Sequence, residues 1–216
     1  PLRDPVCYGL EELAGAKAKR SKVARPEEVH PASPLFHHLS QGLALTIGSA
    51  LGSTPPDTAA CLSAFLIPNK AHLTAGARAW SKHAHRSQPL ATPSSPHEET
   101  IPEIDSGERS DGWWGRPSGP VASINERALA LFWKVVGGAT WRNLHWLPHR
   151  VLVYEVRVEE GYGMRWSQDQ SAMAGEDGSR RPVEDREGAE GVLQPWTFRG
   201  FVEPMMENGH ELGWRH

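Results

Sequence analysis

The chain has 216 residues, of which 38% are hydrophobic, and its 23 Lys and Arg residues against 26 Asp and Glu residues give a net charge of −3. This charge gives no overall attraction to nucleic acid or to an anionic membrane, so binding of either would need a local basic patch. The 21 glycines and 18 prolines exclude a simple helical bundle and indicate a compact core joined by long irregular segments.

The first half of the chain is predicted to be helical after an extended arm at 1–38, in which closely spaced prolines prevent regular structure. Asp57 and Asn69 are of the residue types that cap helix N-termini, and each stands before a run with helical spacing. Together, apolar spacing and these caps predict three helices, at 39–51, 58–66 and 70–85.

The charged residues of the predicted third helix are all basic. They are Lys70, His72, Arg78, Lys82, His83, His85 and the adjoining Arg86. One interpretation is a solvated basic face that pairs with acidic residues elsewhere in the fold. The other is a surface that contacts an anion or nucleic acid, with Trp80 available for stacking.

The second half of the chain is predicted to form one more helix and then a small antiparallel sheet. Ser123 and Glu126 match a capping box, which predicts a helix from 123 to 136. The segment 141–148 is expected to be irregular. Beyond it, alternating apolar residues predict strands at 150–158, 164–167 and 198–203.

Two segments have the composition of loops. Residues 87–122 are rich in Pro, Ser and acidic residues, and residues 168–195 are polar, Gly-rich and charged in both signs. We therefore expect a single α+β domain at 39–216, in which a helical N-terminal half packs on a small antiparallel sheet and two loop excursions leave it.

Several motifs resemble those of a family of conserved eukaryotic proteins without an assigned activity. The most specific are Gly-Tyr-Gly-Met-Arg-Trp at 161–166 and the C-terminal Gly-His…Trp-Arg-His at 209–216, and weaker pieces extend the resemblance in patches over 70–216. The resemblance implies that these segments belong to one fold, and it implies no chemistry.

The eleven histidines raise the question of a metal site. His145 and His149 have the i, i+4 spacing of a helical zinc pair, but Pro148 between them disfavours a helix. The sequence has no His-Glu-x-x-His motif, no phosphate-binding glycine loop and no serine-hydrolase motif. We therefore predict neither a metal ion nor a cofactor.

The strongest candidate site begins on the predicted sheet. Arg157, Arg165 and Arg199 are expected to align across neighbouring strands, with Glu155 and Glu203 beside them. On their own, such residues would form a cross-strand ladder of ion pairs that serves stability alone.

The C-terminal segment adds groups that suit ligand binding or catalysis, because Pro204 and Gly209 are expected to turn it back over the sheet. Glu203 and His210 are the candidate acid–base residues, since a carboxylate beside an imidazole can transfer protons near neutral pH. Arginines among the other candidates would hold a phosphate or a carboxylate. These ligand-binding candidates are Arg165, Trp166, Trp214, Arg215 and His216.

Three functions are compatible with these residues. The leading hypothesis is a binding or interaction domain with a pocket for an anionic ligand, either a phosphate-bearing small molecule or nucleic acid. The second is a small metal-independent hydrolase or transferase that acts at a phosphoryl or acyl centre. The third is a subunit of a larger assembly with a protein partner, in which the nine tryptophans would supply interfaces.

The cysteines and the apolar runs bear on the cellular location. Cys7 and Cys61 lack the spacing of a disulfide framework or redox motif, which favours a reducing compartment. The apolar run at 39–51 is too short to span a membrane. We expect a soluble intracellular protein, and the start at Pro1 without methionine is compatible with a targeting segment before it.

Overall fold

The computed structural model describes residues 30–46, 48–87, 111–171 and 194–204. Within these ranges the helices are α1 Pro34–Ser40, α2 Thr58–Leu66, α3 Ala75–His83 and α4 Val121–Gly137, with short 3-10 turns at Ala84–Ser87 and Pro148–Arg150. The strands are β1 Trp141–Leu147, β2 Val151–Arg157, β3 Gly163–Asp169 and β4 Thr197–Val202. Helices therefore precede an antiparallel sheet, which confirms the α+β class. Most of the predicted arm and of the two loop excursions lies outside the described residues, although α1 begins inside the arm's predicted bounds.

The N-termini of α2 and α3 show which capping prediction was right. The Asp57 carboxylate accepts a hydrogen bond from the Ala60 N–H at 2.7 Å, so the predicted cap of α2 is confirmed. Asn69 instead closes a turn, and α3 begins later, where the Thr74 hydroxyl accepts from the Ala77 N–H at 3.1 Å. No helix in the described part of the chain is long and apolar enough to cross a membrane.

Helix α4 begins earlier than its predicted capping box. Pro120 is the N-cap residue, and Val121 is the first helical residue. The N-terminus has no side-chain capping hydrogen bond, so the pairing expected between Ser123 and Glu126 is wrong. Proline suits the start of a helix for two reasons. Its φ is already fixed, and its missing N–H costs nothing because the helix has no acceptor for an N–H at this position.

Two further predictions fail for one shared reason. The segment 39–51 was expected to be a helix and 141–148 to be irregular, but α1 ends at Ser40 and Trp141–Leu147 is strand β1. Backbone groups at 44, 48 and 50 pair with the free edge of β1: the Ala44 N–H donates to the Arg142 carbonyl at 2.7 Å, and the Ala50 N–H to the Leu144 carbonyl at 2.8 Å. These long-range hydrogen bonds satisfy backbone groups that a helix would have paired locally.

The sheet is a meander with strand order β1-β2-β3-β4, and all its pairs are antiparallel. Glu155 of β2 lies directly opposite Arg165 of β3. The register between β3 and β4 shifts by one residue after Arg165, which leaves Arg199 as the extra residue of a bulge.

Alternation along the strands gives the sheet two different faces. On the first, which we call the core face, apolar side chains pack against the helices, with the Phe65 ring of α2 centred 5.1 Å from Phe132 and 4.9 Å from Phe198. The strand residues on this face include Tyr154, Val156, Met164, Trp166, Phe198 and Phe201. The second, which we call the groove face, carries Val153, Glu155, Arg157, Arg165 and Ser167.

Candidate functional site

A groove of about 760 Å³ runs over β3, β4 and the turn between β1 and β2, and it reaches the end of α3. Its floor is apolar and comes from the strands, with Val151, Val153 and Val202 among its residues. Five of the residues that line the groove are arginines or histidines: His83, Arg86, His149, Arg165 and Arg199. The other polar residues that line it are one acidic residue, Asp169, and the neutral Ser167, Gln194 and Thr197.

Arg165 is the arginine that the sheet fixes most firmly in this groove. Its Nε donates to Glu155 Oε2 at 2.8 Å, and its Nη2 lies 2.6 Å from the same oxygen. The Arg165 side chain is 36% exposed, whereas that of Glu155 is 4% exposed. The carboxylate therefore holds the guanidinium from behind and leaves part of it open to a ligand.

The other oxygen of Glu155 binds a second, fully enclosed arginine. Arg157 Nε donates to Glu155 Oε1 at 2.5 Å, and Arg157 Nη1 donates to the backbone carbonyls of Gly161 at 2.6 Å and Glu203 at 2.9 Å. Burial acts to raise the pKa of Glu155, but the two arginines outweigh it and hold the pKa below its ordinary value. Arg157 thus locks the end of β4 to β2 through a backbone carbonyl, and its ion pair lies within β2. The cross-strand ion pair that the sequence led us to expect is found between Glu155 and Arg165, and of the two arginines only Arg165 lines the groove.

Glu203, one of the two predicted acid–base residues, lies behind the wall of the groove. Its side chain is buried, and neither carboxylate oxygen has a hydrogen-bond partner among the described residues. Burial raises the pKa of Glu203, and the nearby Arg86 partly opposes this shift. The indole N–H of Trp114 lies near the same carboxyl group and also favours its charged form, although the two groups do not meet in hydrogen-bonding geometry. Glu203 can therefore influence Arg86, but its carboxyl group does not line the groove.

His83, at the last residue of α3, is a titratable group that does line the groove. Its Nδ1 is buried and lacks a hydrogen-bond partner within the described part of the chain. Burial lowers the pKa of His83, and the neighbouring positive charges of Arg86, His85 and Lys82 lower it further. The imidazole is therefore largely neutral at pH 7 and able to accept a proton.

The remaining predicted ligand-binding residues separate into two groups. Trp166 follows Arg165 in the chain and so lies on the core face, where it is fully buried and its indole N–H donates to the Cys61 carbonyl at 3.0 Å. It does not face the groove. The C-terminal candidates lie outside the described residues, and so does the expected return of the chain over the sheet; they are His210, Trp214, Arg215 and His216.

Two predictions about the basic segment also change. Trp80, considered available for stacking, is buried and its indole N–H donates to the Trp114 carbonyl at 3.0 Å. The part of the basic segment that reaches the groove is its C-terminal end, through His83 and Arg86. The sequence signalled these residues as members of a basic run, but their position beside β4 depends on how α3 packs.

The histidines do not form the helical pair that their spacing suggested. His145 lies in strand β1, and His149 lies in the following turn with a left-handed φ of 61°. Burial lowers the pKa of His145; Glu155 and Arg165, its charged neighbours, act in opposite directions. Among the described residues, no group of three His, Cys, Asp or Glu side chains could hold a metal ion.

The comparisons with known proteins give one finding. The model of a family described as the CdiA C-terminal tRNase toxin domain matches residues 105–175, about a third of the chain. The matched part includes α4 and strands β1 to β3, and so it contains Glu155, Arg157 and Arg165. His83, Arg86 and Arg199 lie outside it. No curated protein and no solved structure matches the chain.

Proposed function

We propose that this protein binds RNA in the groove and cleaves it at a phosphodiester bond, with tRNA as the first substrate class to test. The observation that carries the proposal is Arg165, a half-exposed guanidinium fixed by a buried carboxylate in a basic groove. The similarity of residues 105–175 to a tRNase toxin domain supports the same reaction class.

The groove suits the phosphate backbone of a nucleic acid. A guanidinium presents planar donors that match phosphate oxygens, and prior fixation by Glu155 reduces the entropy lost when a phosphate binds. Arg86 and Arg199 lie on the same groove and would contact the same or a neighbouring phosphate. The apolar floor between them would exclude water from the bound backbone.

His83 is the described residue best suited to proton transfer at that phosphate. In the proposed reaction its neutral imidazole takes the proton of the ribose 2′-hydroxyl, whose oxygen attacks phosphorus, and the bond from phosphorus to the 5′ oxygen breaks. The products are a 2′,3′-cyclic phosphate and a 5′-hydroxyl that takes its proton from an acid or from water. Arg165 and Arg86 would stabilise the negative charge that grows on the phosphate oxygens.

The two acid–base residues predicted from the sequence have different places in this proposal. Glu203 takes no direct part in the cleavage, because its carboxyl group is buried behind the groove wall and has no hydrogen-bond partner among the described residues. His210 stays a candidate for the group that protonates the 5′ oxygen.

The alternative is a groove that binds an anionic ligand without cleaving it. The buried ion pairs around Glu155 favour this second function, because they are also what a rigid binding surface requires. Both functions need Arg165, and only cleavage needs His83.

The test uses the full chain with 5′-labelled tRNA, followed by gel analysis of product ends. Arg165→Ala should weaken RNA binding by about tenfold or more, since a hydrogen bond to a charged group contributes roughly 1.5–3 kcal/mol. Arg116→Ala is the matched control, because Arg116 pairs with Asp111 at the surface and does not line the groove.

His83→Gln separates the two functions. It should abolish cleavage and leave binding within about twofold, and the wild-type rate should rise with pH through a pKa below the ordinary value of 6.5. His85→Gln is its control, because His85 is exposed and does not line the groove. Binding without cleavage by the wild type would support the alternative, and no binding at all would refute both functions.

A further inference from the structure

A second, smaller pocket adjoins the groove at the end of the sheet. It has a volume of about 460 Å³ and is lined by Leu51, Ser53, Trp146, Leu147 and Arg150. Leu147 also lines the groove, so the two cavities share a wall. The function proposed above uses no residue that is specific to this pocket.

The pocket has an exposed aromatic ring, whereas four of the eight described tryptophans are buried. Trp80, Trp114, Trp141 and Trp166 are each at most 3% exposed, whereas Trp146 is 36% exposed. Its backbone is fixed, because the Trp146 N–H donates to the Gly48 carbonyl at 3.0 Å and the residue belongs to β1. The ring is therefore presented on a rigid strand, and not on a loop.

The turn that separates the two cavities has an unusual backbone. His149 and Arg150 are consecutive non-glycine residues with left-handed φ angles of 61° and 58°. Such conformations are unfavourable for non-glycine residues and concentrate at functional sites. The result here is a division of side chains: His149 lines the groove, and Arg150 lines the smaller pocket. The Arg150 carbonyl accepts from the Gln170 N–H at 3.0 Å, which ties the turn to the end of β3.

We propose that this pocket binds a nucleobase of the same RNA strand, by stacking on Trp146, while Arg150 contacts the adjoining phosphate. The inference rests on the proposed function, because it assigns the pocket to the nucleotide next to the one held in the groove. Proteins that bind single strands combine a basic track for the backbone with aromatic rings on which bases stack, and this pocket adds the aromatic part to a basic groove. Stacking of this kind accepts any base, so the pocket would select an unpaired nucleotide and not a particular sequence.

An apolar side chain of a partner protein is the competing occupant. The Arg150 side chain in the pocket and the wall shared with a basic groove favour a nucleotide. The phosphates of an RNA strand would also contact the basic residues of the groove, whereas an apolar side chain of a partner would not. The two occupants can be distinguished by comparing the affinity lost when a base is removed from the RNA with the affinity lost when the Trp146 ring is removed from the protein.

The experiment measures binding of a labelled single-stranded RNA of about eight nucleotides, made of 2′-O-methyl nucleotides so that a 2′-hydroxyl cannot attack, to the full chain by fluorescence anisotropy. Trp146→Ala should weaken binding by roughly 5- to 100-fold, the range expected for loss of one stacked base. Trp146→Phe should restore binding to within about threefold, since phenylalanine also offers a ring face. Trp133→Ala is the matched control, because Trp133 is 48% exposed on α4 and lines neither cavity.

An abasic nucleotide, moved along the RNA one position at a time, provides the second arm. In the wild type, an abasic nucleotide at one position should lower the affinity as much as Trp146→Ala does. In the Trp146→Ala variant, an abasic nucleotide at that position should lower the affinity no further. The inference is overturned if the wild type binds every abasic RNA equally, or if Trp146→Ala binds as the wild type does. A wild type that binds no RNA would instead refute the proposed function. The abasic series uses the wild-type chain, so it tests nucleobase binding in the pocket even if the alanine variant does not fold.

Discussion

The two faces of the sheet are built from alternate residues of the same strands, yet one buries its aromatic side chains and the other leaves a charged side chain partly exposed. On the core face, Trp166 is completely buried and its polar atom is satisfied by a backbone carbonyl. On the groove face, its neighbour Arg165 is held by a carboxylate and left half-exposed. A shift of one residue in the register would exchange these environments, so the fold fixes stability and the candidate site together.

The comparison also shows that the groove face is not simply a solvated surface. Glu155 and Arg157 are as deeply buried as core residues, and each is paired. The site therefore rests on a buried polar layer, and the difference between the faces lies in which groups remain open. Four predictions test this division, in order of decreasing expected effect.

The first prediction concerns adjacent residues on the two faces. Trp166→Ala should lower the free energy of unfolding by about 3–5 kcal/mol, because it leaves a large cavity and removes the hydrogen bond that the indole donates to the Cys61 carbonyl. Arg165→Ala should cost at most about 1 kcal/mol, since its ion pair is partly exposed. Urea unfolding followed by circular dichroism measures both. Equal losses in the two variants would contradict the division between the faces.

The second prediction asks whether the polar layer is as important as the core. Glu155→Ala should destabilise the protein by about 3–5 kcal/mol at neutral pH, because it leaves the buried Arg157 without its carboxylate. The pKa of Glu155 is lower in the folded state, so its contribution is present above the ordinary carboxyl value of 4.5 and is lost as the pH falls through the folded pKa.

The difference in urea midpoint between the wild type and Glu155→Ala should therefore become smaller at acidic pH. Glu126→Ala serves as the control, because Glu126 is exposed on α4 and its loss should change stability little at any pH. A Glu155→Ala variant as stable as the wild type would show that the ion pairs are dispensable.

The third prediction tests the packing of the core face. Gly76 is buried in α3, and a methyl group at this position would overlap the Phe65 ring, which is itself enclosed by other aromatic rings. Gly76→Ala should therefore cost about 1–3 kcal/mol despite the better helix propensity of alanine. Gly137→Ala, at the end of α4, has open space around the new methyl group and should be neutral or stabilising in the same thermal melt.

The fourth and smallest effect concerns Glu203 between the two faces. Because burial raises the pKa of Glu203 in the folded state, the unfolded chain loses this proton first, and stability falls as the pH rises through the interval between the two pKa values. Glu203→Gln removes this cost, so the variant should be more stable than the wild type at pH 8 and about equal to it below pH 4.5. A variant less stable at pH 8 would mean that the ionised carboxylate has a favourable partner.

The local patterns that the sequence predicted well are those decided by neighbouring residues. The alternation in 150–158 placed β2 and its inward face correctly, and Asp57 marked the start of α2. Predictions failed where a distant partner decided the outcome: Thr74 begins α3 and its N–H donates to Asn125 of α4, 51 residues away.

The candidate site divides in the same way. The sequence by itself determined that Glu155 and Arg157 share the face of β2 opposite the apolar side chains, because the alternation in 150–158 assigns them to it. The expected alignment of Arg157, Arg165 and Arg199 was wrong: Arg165 lies opposite Glu155 and Gly200, and Arg157 lies opposite Gly163. The sequence also determined that any attraction to an anion had to be local, since the whole chain is net negative.

Only the tertiary structure decided which side chains of the candidate site are exposed in the groove. Packing of α3 beside β4 brings His83 and Arg86 to the groove, closure of the core face buries Trp166 and Trp80, and enclosure raises the pKa of Glu203. Exposure and pKa depend on neighbours far apart in the chain, whereas strand alternation and helix caps depend on residues a few positions away. For that reason the sequence could name the chemistry of the site but not its accessible members.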